Sequence, residues 1–254
     1  MTFELNNLVI GYPTRKVAGP MTVSLHQGEL CCLLGSNGAG KSTLLRTLAA
    51  FQPPLSGQIL LDGRDISDIS ARELSTLIGI VLTERVRVAG ITVRDMVAMG
   101  RSPYTNFWGR LTQEDHRLVD EAMQLVGVAG FASRQVSTLS DGERQKVMIA
   151  KALAQGTPII LLDEPTAFLD FPSKVEAMLL LSRLAHDLQK TIFLSTHDLD
   201  LALQTADRLW LMPSSMSKGE IAVGTPRELA EKLPLYFPSP HLTFDPSALR
   251  FQIQ

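Results

Sequence analysis

Cysteine is almost missing from this chain. Cys31 and Cys32 are the only two in 254 residues. They are read as small buried apolar residues in a reducing compartment, which excludes a disulfide framework. A basic surplus is also missing, since 24 Lys and Arg against 26 Asp and Glu leave a formal net charge of -2. Nothing therefore favours neutralising a phosphate backbone, and nucleic acid is not an expected partner. No apolar run approaches the roughly 20 residues that cross a bilayer. Met1-Thr2-Phe3-Glu4-Leu5 lacks the basic and apolar regions of a signal peptide. A soluble polypeptide is expected, one that leaves any membrane spanning to another chain. His26, His116, His186, His197 and His241 lie too far apart for close metal-ligand spacing. Internal repeats and low-complexity tracts are lacking too. What remains is 45% hydrophobic content, enough for one domain or one domain with an inserted subdomain.

The alternation of elements indicates the fold class. Thr2 to Ile10 and Met21 to His26 read as antiparallel strands, broken by Gly11, Pro13, Gly19, Pro20 and Gly28. Gln58 to Leu61 is a short strand closed by Asp62-Gly63, and Leu77 to Leu82 a buried one. From about Ile91 to Ala154 the pattern turns helical, with a capping-box signal at Thr112-Gln113-Glu114-Asp115. Strands return at Ile159 to Leu162, Thr191 to Leu194 and Leu209 to Met212. A helix starting near Pro172 lies between the first two. This order predicts an α/β fold with a mostly parallel sheet, helices on both faces and the helical block as an insertion. The segment from Pro234 onward, with Pro238, Pro240 and Pro246, reads as a loop-rich appendage.

Gly35-Ser36-Asn37-Gly38-Ala39-Gly40-Lys41-Ser42-Thr43 carries the most chemical information. The apolar run Leu30 to Leu34 precedes it as a buried strand, and Ser42 to Ala50 follows as a helix. Strand, glycine-rich turn and helix start together fit the P-loop pattern G-x-x-x-x-G-K-[ST]. Its glycines let backbone N–H groups curl around phosphate oxygens, and the helix N-terminus favours an anion. Lys41 supplies a point charge for the terminal phosphates, while Ser42 offers a hydroxyl to Mg²⁺.

Ile159 to Leu162 runs into Asp163-Glu164, and ligands of open α/β sheets bind beyond such carboxyl ends. Alternate pointing along a strand separates the two tasks: Asp163 for the Mg²⁺ shell, through water, and Glu164 for the water that attacks the γ-phosphate. Leu139-Ser140-Asp141-Gly142-Glu143 admits two accounts. Ser140 and Glu143 form a capping box that needs no ligand. A capped helix start bearing Ser and Gly is equally an anion site.

That second stretch resembles the LSGGQ signature of ATP-binding-cassette (ABC) proteins, and it stands between a P-loop and Asp163-Glu164 in the family's order. Other stations are similar. Tyr12 sits where the family has an aromatic stacking on adenine, and Ala167-Phe168-Leu169-Asp170 looks like the D-loop. Ser195-Thr196-His197-Asp198 looks like the switch region, whose histidine contacts the γ-phosphate. The resemblance spans about Thr2 to Leu229. It implies a P-loop NTPase (RecA-like) core with an N-terminal antiparallel β subdomain and an inserted helical subdomain. Residues 1–254 would form one ATPase domain: about 1–83 and 155–232 the catalytic core with its β subdomain, about 84–154 the helical subdomain, and about 233–254 the appendage. Two departures stand out. Asp141 replaces the first signature glycine and is expected to point away from phosphate. The family's glutamine after the strand near Val81 is missing, and Thr83, or next Glu84, is aligned in its place as the metal ligand.

The resemblance implies ATP and Mg²⁺ as cofactors and a head-to-tail homodimer, with ATP on one P-loop covered by Ser140 and Gly142 of the other chain. Met99-Gly100-Arg101-Ser102-Pro103-Tyr104, followed by Thr105-Asn106-Phe107-Trp108-Gly109, resembles a stretch of the ATPases that serve iron-siderophore, haem and cobalamin importers. The implied partners are a separate permease pair and a periplasmic or lipid-anchored binding protein. The implied location is the cytoplasmic face of the inner membrane. Another importer or an exporter ATPase is the nearest alternative. A small-molecule kinase or GTPase has no use for Leu139 to Glu143, and a regulatory nucleotide-binding module would typically lose Glu164 or His197.

Overall fold

The computed structural model describes residues 2–82, 90–106, 108–213, 220–239 and 241–253. Thr83 and Glu84, as well as Phe107, lie outside the described residues. The chain opens with two long antiparallel strands, β1 (Thr2–Tyr12) and β2 (Arg15–His26), joined at Pro13-Thr14. The Gly19-Pro20 pair, expected to break the strand, lies within β2 instead. β2 is an edge strand with irregular register, where a proline costs no ladder bond. β3 (Leu30–Leu34) leads into α1 (Lys41–Leu48), and β4 (Ser56–Leu61) and β5 (Arg64–Asp65) close the antiparallel sheet in the order β2-β1-β4-β5.

α2 (Ala71–Leu77) then returns the chain to β6 (Ile78–Val81). Among the described residues three α-helices follow: α3 (Val93–Ala98), α4 (Gln113–Leu125) and α5 (Asp141–Ala154). Each opens with a reciprocal capping box, from Thr92, Thr112 and Ser140, so their N-termini are defined by local chemistry. The remaining elements alternate as β7 (Ile159–Asp163), α6 (Phe171–His186), β8 (Thr191–Thr196), α7 (Leu199–Thr205), β9 (Arg208–Leu211) and β10 (Ala222–Gly224). The second sheet has the order β10-β9-β3-β8-β7-β6, parallel throughout except for β10 against β9.

Strand periodicity divides the core between the two faces of this sheet. Cys31, Leu33, Phe193 and Trp210 face α1 and the antiparallel sheet, with Phe193 and Trp210 in edge contact at 4.9 Å. Cys32, Leu34, Ile192 and Leu194 face the other way, towards Val147 and Ala150 of α5 and Met178 and Leu181 of α6. Both cysteines are buried free thiols on opposite faces.

The C-terminal segment is more ordered than the loop-rich reading allowed. α8 (Leu233–Tyr236) is followed by a hairpin of β11 (Leu242–Asp245) and β12 (Arg250–Ile253). Phe244 and Phe251 meet at 4.9 Å and pack against the helical side of the core. Pro234 lies in the first turn of α8 and Pro246 in the turn between β11 and β12, so neither prevents the strands from pairing; Pro240 lies outside the described residues.

Candidate functional site

The carboxyl ends of β3, β7 and β8 converge on one cleft. At the end of β3, Gly35 to Gly40 turn the chain into α1. Gly40 has φ 104°, and a Cβ there would stand 2.2 Å from Val17 Cγ1, so no other residue fits. Gly38 is likewise at positive φ, with open space around it. Ser36, Asn37 and Gly38 are exposed, as is Ser42 in the first turn of α1, whereas Ala39 and Thr43 are buried. Backbone N–H groups and a helix start thus face open space, the arrangement that takes an anion.

Lys41 is 6% exposed, with Nζ donating to the carbonyl of Gly35 at 2.8 Å and that of Ser36 at 3.4 Å. Burial lowers its pKa from the ordinary lysine value, against the opposing charges of Glu164 and Asp163. Glu164 Oε1 lies 3.9 Å from Lys41 Nζ, and Glu164 Oε2 lies 3.5 Å from His197 Nδ1. Asp163 is buried and accepts a hydrogen bond from Ser195 Oγ at 2.7 Å.

The cleft has a volume of ≈ 440 Å³, and its lining includes Tyr12, Asn37, Lys41, Ser42, Thr43 and Glu164. Tyr12 is 47% exposed, with its hydroxyl 3.4 Å from Thr43 Oγ1. A half-exposed ring at the mouth of a phosphate cradle suits stacking on a base.

Strand alternation is not what separates Asp163 from Glu164. β7 ends at Asp163, and Glu164 is at φ 47°, so strand alternation does not reach it. Glu164 lines the cleft, while Asp163 is buried beside it against Ser195 and close enough for its charge to act on Lys41.

A second group of predicted residues gathers elsewhere. Ser140 caps α5: its Oγ accepts from Glu143 N at 3.2 Å, and Glu143 Oε2 accepts from Ser140 N at 2.8 Å. That bond, with the Ser140 hydroxyl, holds the Glu143 carboxyl below its ordinary pKa. Asp141 pairs with Arg144 at 2.6 Å, which turns its charge along α5. A Cβ on Gly142 would lie 3.2 Å from Ser173 Oγ, so the signature packs against the first turn of α6. Asp170 caps that helix, accepting from Ser173 N at 3.1 Å, and the Ser173 hydroxyl and N–H lower its pKa. Ser140, Gly142 and Asp170 are not in the lining of the P-loop cleft.

Three further residues contribute to the site. Arg15 and Val17 line the cleft because β2 pairs back on β1, setting Arg15 opposite Tyr12. No motif marks them. Ser195 joins Asp163 to Glu164 and belongs to a stretch already singled out, but its role depends on strand pairing across 31 residues of sequence.

The donor set suits a hard divalent cation. Asp163 offers a carboxylate and Ser42 a hydroxyl, and Mg²⁺ takes few protein oxygens while filling its shell with phosphate and water. Among the described residues no cluster of three or more His, Cys, Asp or Glu could hold a metal ion alone.

Residues 19–167 match the family described as ABC transporter. An uncharacterized ABC transporter ATP-binding protein of Methanocaldococcus jannaschii is 40% identical over 229 residues, 90% of this chain and 78% of the relative. The ferric enterobactin transport ATP-binding protein of Escherichia coli is 38% identical over 223 residues, 87% of this chain and 81% of that one. A cobalamin import ATP-binding protein of Halobacterium salinarum is 39% identical over 209 residues, 82% of this chain and 52% of that one. A structure described as an inward-facing conformation of a metal-chelate type ABC transporter superposes with TM-score 0.82 at 26% identity, covering 99% of this chain and 95% of that one. A dimeric ABC transporter cassette superposes with TM-score 0.70 at 26% identity, covering 82% of this chain and 93% of that one.

Proposed function

This chain belongs to the ABC transporter family as an ATP-binding subunit with ATPase activity, and from that premise we propose that two copies hydrolyse ATP between them to drive import of a metal chelate, foremost a ferric siderophore, through a separate permease. The carrying observation is the division of the site. Tyr12, the P-loop and Glu164 line one cleft, with His197 3.5 Å behind Glu164, while Ser140, Gly142 and Asp170 stand at the starts of α5 and α6 outside that lining. Two half-sites on one chain need a second copy to meet, and a related cassette is known as a dimer.

In this reading Gly35 to Thr43 hold the phosphates of ATP and Tyr12 stacks on its base. Lys41 leaves the carbonyls of Gly35 and Ser36 for the phosphate oxygens, which favour its charged form. Mg²⁺, held by Ser42 and Asp163, would supply charge neutralisation on the phosphates. Glu164 orients the attacking water and accepts its proton as the bond between Pγ and the β,γ-bridging oxygen breaks. His197 contacts the γ-phosphate, and Ser140 and Gly142 of the second copy close over it. Loss of the γ-phosphate removes the charge that holds the copies together, so the clamp opens.

No described helix is long and apolar enough to cross a membrane, which supports a separate spanning chain. A second cavity of ≈ 420 Å³, lined by Phe51, Ile66, Ile69, Leu74, Ile80 and Gln155, offers an apolar seat for a cytoplasmic helix of that permease. Phe51 is 61% exposed at this seat. The chain would work on the cytoplasmic face of the membrane, with a periplasmic or lipid-anchored protein delivering the chelate.

The test is reconstitution in vesicles with a candidate permease and its matching binding protein. A ferric siderophore should stimulate ATPase activity, with haem and a corrinoid as comparisons. Phe51→Asp should abolish that stimulation while the isolated chain keeps its rate. Failure of all three substrate classes would reject metal-chelate import.

A further inference from the structure

Ser195 is wholly buried, one residue from the end of β8 and directly opposite Asp163 of β7 in the parallel register. Its Oγ makes two bonds at once. It lies 2.7 Å from Asp163 Oδ1 and 2.9 Å from the backbone nitrogen of Glu164. An N–H can only donate, so Oγ accepts from Glu164 and spends its own proton on Asp163.

The second bond falls where the backbone most needs support. Glu164 is at φ 47°, a left-handed conformation that a branched-off Cβ opposes. Pro165 follows, and a residue before proline is steered towards extended backbone as well. Two hydrogen bonds oppose those preferences: Glu164 N–H to Ser195 Oγ, and Ala167 N–H to the Glu164 carbonyl at 3.0 Å. The turn they hold directs the Glu164 carboxylate between Lys41, 3.9 Å away, and His197, 3.5 Å away.

We propose that Ser195 is a positioning residue for ATP hydrolysis, holding the kinked backbone of Glu164 and the carboxylate of Asp163 in fixed relation through one hydroxyl. It acts through Glu164 and lies outside the lining of the nucleotide cleft. The inference rests on the reading of Glu164 as the group that acts on the attacking water, and deepens it.

Steady-state ATPase assays on the full chain test this, together with equilibrium binding of ATP and Mg²⁺. Ser195→Ala removes both Oγ bonds and should lower kcat about tenfold to a hundredfold, with KM and ATP affinity within about twofold of the original. Ser195→Thr keeps the hydroxyl and should recover most of kcat. Ser195→Cys preserves the packing with a weaker bond; it should lie between Ser and Ala, and it carries the test if alanine yields too little folded protein. An unchanged kcat in Ala or Cys overturns the proposal. So does a KM that rises as much as kcat falls, or a Thr variant no better than Ala. Glu164→Gln separates the two levels. If it abolishes hydrolysis while Ser195→Ala is unimpaired, only the Ser195 role fails; if it hydrolyses at the original rate, the role of Glu164 fails first.

Discussion

Replacing Arg101 with alanine should destabilise the protein by about 3 kcal/mol, and the structure supplies the reasoning. Arg101 and Asp115 are buried, with side chains 8% and 5% exposed and Nε 2.8 Å from Oδ1. Arg101 Nη1 donates to the carbonyl of Ala154 at 2.8 Å, and its guanidinium lies 3.9 Å above the Tyr104 ring. The stretch from Met99 to Tyr104, singled out for its resemblance to importer ATPases, thus contains a pin between the start of α4 and the end of α5, the helix that carries Ser140. Removing one member of a buried pair typically costs roughly 3–5 kcal/mol, because the other charge is left in a poor solvent. The low end applies here, since Thr112 still donates its N–H at 2.9 Å and its hydroxyl at 2.7 Å to Asp115 Oδ2. For a chain of this size such a loss lowers Tm by about 6–12 °C. Thermal unfolding followed by circular dichroism reads it directly. The double variant Arg101→Met with Asp115→Asn removes both charges while keeping an acceptor for the Thr112 cap, and should regain most of the loss. A Tm within about 2 °C of the original for Arg101→Ala would refute the reasoning, as would a double variant worse than the single one.

The same network sets an acid limit. The Thr112 N–H and hydroxyl, then Arg101, depress the Asp115 pKa to about 2, from an ordinary 3.8. A carboxyl with a depressed folded pKa contributes stability above its unfolded pKa and loses it as pH falls through the folded value. About 2 kcal/mol should disappear between about pH 4 and pH 2. Asp115→Asn should flatten that part of a stability profile measured by urea unfolding, and an unchanged slope would count against the assignment. Gly40→Ala should lose ATP binding at concentrations that saturate the original chain, because its Cβ would meet Val17 at 2.2 Å and φ is 104°; normal calorimetric affinity would contradict the fit described. Tyr12→Ala should weaken ATP binding about tenfold while Tyr12→Trp preserves it. Equal affinity for all three residues would remove the stacking role.

Local chemistry made much of the architecture legible before any coordinates. Leu30 to Leu34 and Ile159 to Leu162 are uninterrupted apolar runs, and both form strands buried on both faces. Thr112 with Asp115 and Ser140 with Glu143 announce helix starts because each cap needs only residues three apart. Two expectations failed where distant partners decide. Gly19-Pro20 remains inside β2 because edge position removes the usual penalty. The C-terminal segment pairs as a hairpin because Phe244 and Phe251 find a core surface that no local pattern reveals.

The amino-acid order alone determined which groups the candidate site could draw on: a glycine turn of the kind that takes phosphates, a lysine, adjacent carboxylates, a histidine and a capped helix start. These signals are short-range, since turn, cap and strand chemistry act over a few residues. Tertiary structure decided how the groups combine. It set Arg15 across from Tyr12, turned Glu164 away from Asp163 on a left-handed backbone, and gave both to Ser195 from a neighbouring strand. It also separated Ser140, Gly142 and Asp170 from the P-loop cleft. Side-chain direction at such points depends on strand register and packing between elements far apart in the chain, which no local motif encodes.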